Sequence, residues 1–163
     1  MSVAKELLRQ VIERSHGMIR MYVEDLTDAD LFVRSVPGTN HMAWQLGHIV
    51  GGVHKMLGEL GRPAFALPEG FRAVHGKEMA GCDDPAKFAT KVEYLALLDE
   101  AKAASLAAVD ATPESDFDRP GPESMRQYAP TVGIVLMLLG SHGLMHAGQF
   151  VPIRRKLGKP PMF

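Results

Sequence analysis

The chain is 163 residues long, 46% hydrophobic and 23% charged, a globular composition at single-domain length. Its 18 basic and 19 acidic side chains leave a net charge of -1, without the basic footprint of a protein that grips a nucleic-acid backbone. Seven histidines stand beside one cysteine, Cys82, which excludes a disulfide framework and a cysteine-rich zinc site and leaves imidazole as the ligand type for any metal chemistry.

Residues 1–6 enter an amphipathic pattern directly, without the basic start and apolar core of a secretory leader. The apolar run Val132 to Leu139 is far short of the ~20 residues a membrane span needs. A soluble, cytoplasmic protein with no membrane partner is expected. The first predicted helix covers about residues 3–26, where Val3, Leu7, Val11, Ile12, Met18, Ile19 and Tyr22 recur at helical steps. Residues 26–32 leave room for one short turn before the stop signal Val36-Pro37-Gly38. Thr39 or Asn40 is the candidate N-cap of a second helix reaching Leu60, with an aliphatic stripe of Met42, Leu46, Ile49, Val53, Met56 and Leu60.

Residues 61–83 read as a long loop punctuated by Pro63, Pro68, Gly70, Gly76 and Gly81. Asp83-Asp84-Pro85 opens the predicted third helix, which carries Phe88, Val92, Leu95, Leu98, Leu106 and Val109. A proline-rich connection from Ala111 to Pro130 leads to the fourth helix, about residues 131–157. Gly158 and Pro160 end it, with Arg154, Arg155 and Lys156 in its last turn. The fold class is all-α: one domain, 1–163, forming a four-helix bundle whose two long connections favour an up-up-down-down arrangement. Connections of that length are uncommon unless they cover a site.

His142 and His146 lie four residues apart, about 40° from each other on a helical wheel, on a face shared with Val135, Leu139 and Ile153. Two imidazoles on an apolar stripe each need a polar partner, and one metal ion satisfies both. A zinc-protease helix would carry glutamate after the first histidine, where this chain has Gly143. A carboxylate di-iron centre needs two Glu-x-x-His motifs, and the chain has one, Glu13 to His16. Glu13 and His16 are expected on a solvated helix face, and His54 and His75 at the surface. His48 is the best candidate for a third ligand, although the wheel places it off the aliphatic stripe and, taken alone, slightly favours an exposed histidine there. Gly47, Gly51 and Gly52, matched by Gly140, Gly143 and Gly148, suit a close approach of helices two and four.

The pattern Asn40-x-x-x-Trp44-x-x-x-His48, followed by His142-x-x-x-His146-x-Gly148-Gln149 and then Arg155, Leu157-Gly158 and Pro160, resembles the DinB-like superfamily. That resemblance implies a four-helix bundle, often a homodimer, in which three histidines hold a divalent metal ion, zinc or nickel. It places the ligand role on His48, His142 and His146 and decides the open case of His48. It implies either a thiol-dependent transferase or isomerase using a low-molecular-weight thiol, or a metal-dependent hydrolase, in each case with a small-molecule substrate. The alternative is a non-catalytic metal-binding dimeric module, its site closed by a fourth ligand such as His41 or Cys82. Gln149 lies within range to support a ligand, and His41 and Trp44 are candidates for the pocket mouth. Arg154 and Arg155 could meet an anionic substrate, although the helix dipole alone accounts for them. Pro152 departs from the pattern and is expected to kink the fourth helix near Gly148 and displace its Arg154–Arg155 end.

Overall fold

A computed structural model describes residues 2–160 and 162. Four long helices carry the structure: α1 (Val3–Val23), α2 (Met42–Glu59), α4 (Lys91–Ala111) and α5 (Val132–Lys156), with a one-turn helix α3 (Phe71–Val74) inside the first long connection. No strand occurs among the described residues; an isolated bridge, Pro120 to Thr131, pins the second long connection. The expected all-α four-helix bundle is present.

Helix boundaries follow side chains that satisfy the free N–H groups of the first turn. Ser2 accepts from the Lys5 amide and Thr131 from the Ile134 amide. The third long helix starts at Lys91 rather than at the acidic run Asp83-Asp84. Asp84 caps only the single 3-10 turn Pro85–Lys87, whereas Thr90 and Glu93 form a reciprocal capping box that satisfies two donors at once. The second helix likewise starts later than expected, because its cap is His41 and not Thr39 or Asn40.

The helix directions differ from the expected up-up-down-down order. Gly140 meets Ile12, Gly143 meets Ser15, and Arg154 meets Tyr22, so α5 runs parallel to α1. Arg9 pairs with Asp110 and Arg20 with Asp99, so α4 runs against α1. Gln45 meets His146 and Gly52 meets His142, so α2 runs against α5. The order is up-down-down-up. Only the connection 60–90 traverses the bundle, and the connection 112–131 closes one end by folding on itself, with Gly121 and Val132 amides bonded to Pro130 and Arg119 carbonyls. Two long connections therefore do not amount to two crossovers.

The α1–α5 contact is the tightest in the bundle. A Cβ on Gly140 would lie 2.8 Å from the Ile12 amide nitrogen, and one on Gly143 would lie 2.6 Å from Ser15 Oγ. Helix five thus spends two of its glycines on α1, not on α2 as the sequence suggested. Gly148 has open space around it. By length and apolar composition α5 is capable of crossing a membrane, yet here Val135, Leu136, Leu139, Phe150 and Ile153 form the centre of the bundle.

Helix α5 runs unbroken through Pro152. The ring is exposed, and Gly148, whose carbonyl loses its amide donor, is exposed as well, so water can take that hydrogen bond. The end of α5 is anchored to α1: Arg154 is buried, donates to the Tyr22 carbonyl at 2.8 Å, and pairs with Asp25 at 2.5 Å. That pair holds the Asp25 carboxyl at about 2 and leaves Arg154 unavailable to a substrate, while Arg155 is exposed.

His16 corrects the solvated-face expectation. It is buried against α4, and burial, aided by the Lys102 charge, lowers its pKa to about 4, whereas Glu13 is exposed as expected. His75 is also buried, its Nδ1 donating to the Phe71 carbonyl and its Nε2 accepting from Tyr94, and its pKa is lowered to about 4, chiefly by burial.

Gly140→Ala is expected to lower stability by about 1–3 kcal/mol, because helix backbone rather than a flexible tip blocks the new Cβ. Gly148→Ala is expected to be neutral or to stabilise by up to ~1 kcal/mol. Urea midpoints of the two variants check both. A folded-state pKa below the unfolded value makes the unfolded chain the better proton acceptor. Metal-free stability is therefore full above about pH 6.5 and falls as pH drops toward 4. Denaturation between pH 7.5 and 4.5 measures that slope, which should flatten in His16→Gln.

Candidate metal centre

Helix α2 presents His48 and α5 presents His142 and His146, each on the side facing the other helix. One nitrogen from each lies within 4.8 Å of the other two. His142 Nε2 and His146 Nε2 are 3.3 Å apart. Two metal–nitrogen bonds of about 2.05 Å at a tetrahedral angle would separate their nitrogens by about 3.3 Å. The antiparallel run of α2 and α5 makes this possible, since successive turns of the two helices meet in register across the seam.

Each imidazole is aimed by a neighbour. His146 Nδ1 lies 3.0 Å from Gln45 Oε1, a carbonyl that can only accept, so Nδ1 carries the proton and Nε2 keeps its lone pair. His48 stacks on Trp44 with ring centroids 4.8 Å apart and planes 11° from parallel, and the indole N–H donates to the Gly76 carbonyl at 3.0 Å. His142 packs on Gly52, where a Cβ would lie 3.1 Å from the ring. A bulkier residue at 52 would push the imidazole out of the seam.

All three rings are held neutral. Burial lowers the pKa of His146 to about 3 and of His142 to about 4, with charge on neighbouring imidazoles adding to both. Burial also lowers that of His48. Neutral imidazole is the state that binds metal, and facing lone pairs are unfavourable without a cation or proton between them. The buried Nδ1 of His142 has no partner among the described residues. The donor set fits a divalent ion of imidazole preference.

The other expected residues fare differently. Trp44 belongs to the site as the support of His48. His41 does not reach it: the ring is fully buried, Nδ1 caps α2 by accepting from the Trp44 amide at 3.1 Å, and Nε2 donates to the Cys82 carbonyl at 2.8 Å. Gln149 is exposed and makes no hydrogen bond to a ligand histidine among the described residues; the supporting amide is Gln45. The wheel contained that signal, because Gln45 precedes His48 by three residues and shares its side. Cys82, half-buried, lies outside the ligand group and supplies only its backbone carbonyl. His75 supports the centre from behind: its ring fills the space where a Gly47 Cβ would come within 2.1 Å.

The DinB superfamily model matches residues 12–150, most of the chain and both ligand-bearing helices. The chain belongs to the DinB superfamily. No curated protein matches it in sequence. Two solved structures share the DinB-type fold. A conserved protein from Enterococcus faecalis aligns with TM-score 0.72 at 17% identity, covering 98% of this chain and 99% of that one. YfiT from Bacillus subtilis aligns with TM-score 0.66 at 20% identity, covering 98% and 91%. YfiT is described as a probable metal-dependent hydrolase with an unusual four-helix bundle topology.

Gln45→Leu should weaken metal affinity about 10–100-fold, the usual effect of losing the hydrogen bond that orients a ligand histidine. Gln149→Leu should leave affinity unchanged. Competition titration against a chromophoric chelator measures both.

Proposed function

We propose that this DinB-superfamily chain is a metal-dependent enzyme acting on a small molecule, with His48, His142 and His146 holding zinc or nickel. The observation that carries the reading is a cavity of about 260 Å³ onto which His48 and His142 open directly, walled otherwise by side chains that cannot ligate a metal strongly. A structural site is closed by a fourth protein ligand. Here the two candidates are spent elsewhere, His41 on a helix cap and Cys82 outside the group, and this disfavours the non-catalytic module.

When bound, a divalent ion on three neutral imidazoles supplies a Lewis acid that lowers the pKa of a water or thiol meeting it. The chain's own residues hold and orient. Gln45 fixes the tautomer of His146, Trp44 the rotamer of His48, and Gly52 the depth of His142. No carboxylate lines the cavity beside the ligands, and its other ionisable side chains are Lys55 and Tyr128. That arrangement suits chemistry in which the ion, rather than a carboxylate base, activates the nucleophile: hydrolysis, or transfer to a small thiol. In the transfer version the thiol arrives as a co-substrate, since Cys82 is not at the site.

Untagged protein should carry about one zinc or nickel per chain by elemental analysis, and His48→Ala, His142→Ala and His146→Ala should each lose it while remaining folded by circular dichroism. Metal retained in all three variants sinks the proposal. Cobalt-substituted protein should change its visible spectrum on adding a small thiol. An unchanged spectrum removes the thiol-transfer version.

A further inference from the structure

We propose that the substrate is an elongated monoanion, a carboxylate carried on an apolar body. The proposal deepens the enzymatic reading above. Two depressions meet at the ligand cluster, and His48, Gly52 and Lys55 line both. One, about 260 Å³, is apolar: Met56 and Met125 form a buried floor, and Leu138, Tyr128 and Met145 stand around it. Tyr128 and Met145 are 60% and 62% exposed, large apolar surfaces at the mouth of a pocket that a bound apolar group would cover. The other depression, about 170 Å³, leads from His48 toward Arg72 and Lys55. Neither cation makes an ion pair or a side-chain hydrogen bond among the described residues, while seven other ion pairs engage the arginines and lysines elsewhere.

The site thus presents an apolar arm and an arm that reaches Arg72, with His48, Gly52 and Lys55 bordering both. A molecule spanning both places its central bond at the ligand cluster. The charge count selects a monoanion. Glu59 lines the outer groove beside Lys55 and Arg72, which leaves one net positive charge there. That matches a carboxylate better than a phosphate dianion. Methionine-rich walls adapt to differently shaped tails, so the apolar arm selects for hydrophobicity more than for shape.

Calorimetric titration of octanoate, acetate, octanol and octylammonium into metal-free and zinc-loaded protein tests this, with zinc occupancy measured separately. Octanoate should bind both forms, at least about tenfold tighter than acetate, as burial of several methylenes requires. Octylammonium should not bind. Lys55→Met with Arg72→Met should weaken octanoate about tenfold in both forms and leave octanol unchanged, the loss expected of charged hydrogen bonds. Met145→Asp should weaken octanoate and octanol alike. Octanoate binding that needs zinc and ignores the Lys55 and Arg72 changes puts the carboxylate on the metal and overturns the proposal. So does equal binding of octanoate and octylammonium, or no binding of either. Zinc binding without octanoate binding defeats this proposal alone. Octanoate binding to a protein that holds no zinc defeats the metal reading alone.

Discussion

The hydrogen bond between Gln45 and His146 joins α2 to α5 at a buried point, and the rest of the site depends on it. A neutral imidazole buried between helices must have each nitrogen accounted for. Gln45 accepts the proton of Nδ1 and thereby leaves Nε2 as a bare lone pair aimed at His142 and His48. An apolar residue at 45 would leave the tautomer undefined and the ring free to turn. The same bond fixes the axial register of α2 against α5, and so decides that Gly52 meets His142 and that His48 faces the pair.

That register is itself held from outside the site. Helix α5 cannot slide along α1, because Gly140 and Gly143 interlock with Ile12 and Ser15 at separations only glycine allows, and the buried Arg154–Asp25 pair fixes its far end. Behind α2, the traversing connection inserts His75 over Gly47 and hydrogen-bonds it to Tyr94 of α4. The ligand helix is clamped between α5 on one side and the connection on the other. A connection of that length is thus part of the scaffold, and it brings Arg72 and Gly76 to the site as well.

Much of this was legible in the residues. The i, i+4 spacing of His142 and His146 on an apolar stripe pointed to a shared ligand, and the stripe of Met42, Leu46, Ile49 and Val53 is buried as its periodicity requires. His48 was undecided on the wheel because a seam between two helices is neither core nor surface, and half-buried is what it turns out to be. The misplaced histidines, His16 and His75, share one cause. Helical periodicity describes one helix against an average core, whereas His16 is buried by α4 and His75, on the connection, by α2 and Tyr94 of α4, and neither partner can be read from local spacing. Gln149 was singled out for its nearness in sequence to His146, yet the supporting group comes from across the seam, as the Gln45 amide on α2. Loop length misled in the same way: a long connection can cross the bundle or fold at one end, and only the contacts decide.

The proposed function requires three imidazoles around an ion that keeps a position open toward the cavity. X-ray absorption spectroscopy of the zinc-loaded protein tests this most directly. It should show nitrogen and oxygen neighbours at about 2.0–2.1 Å, with the imidazole scattering of three histidines and one light, exchangeable neighbour. A sulfur neighbour at about 2.3 Å, or a fourth histidine, would mean a closed site and contradict it.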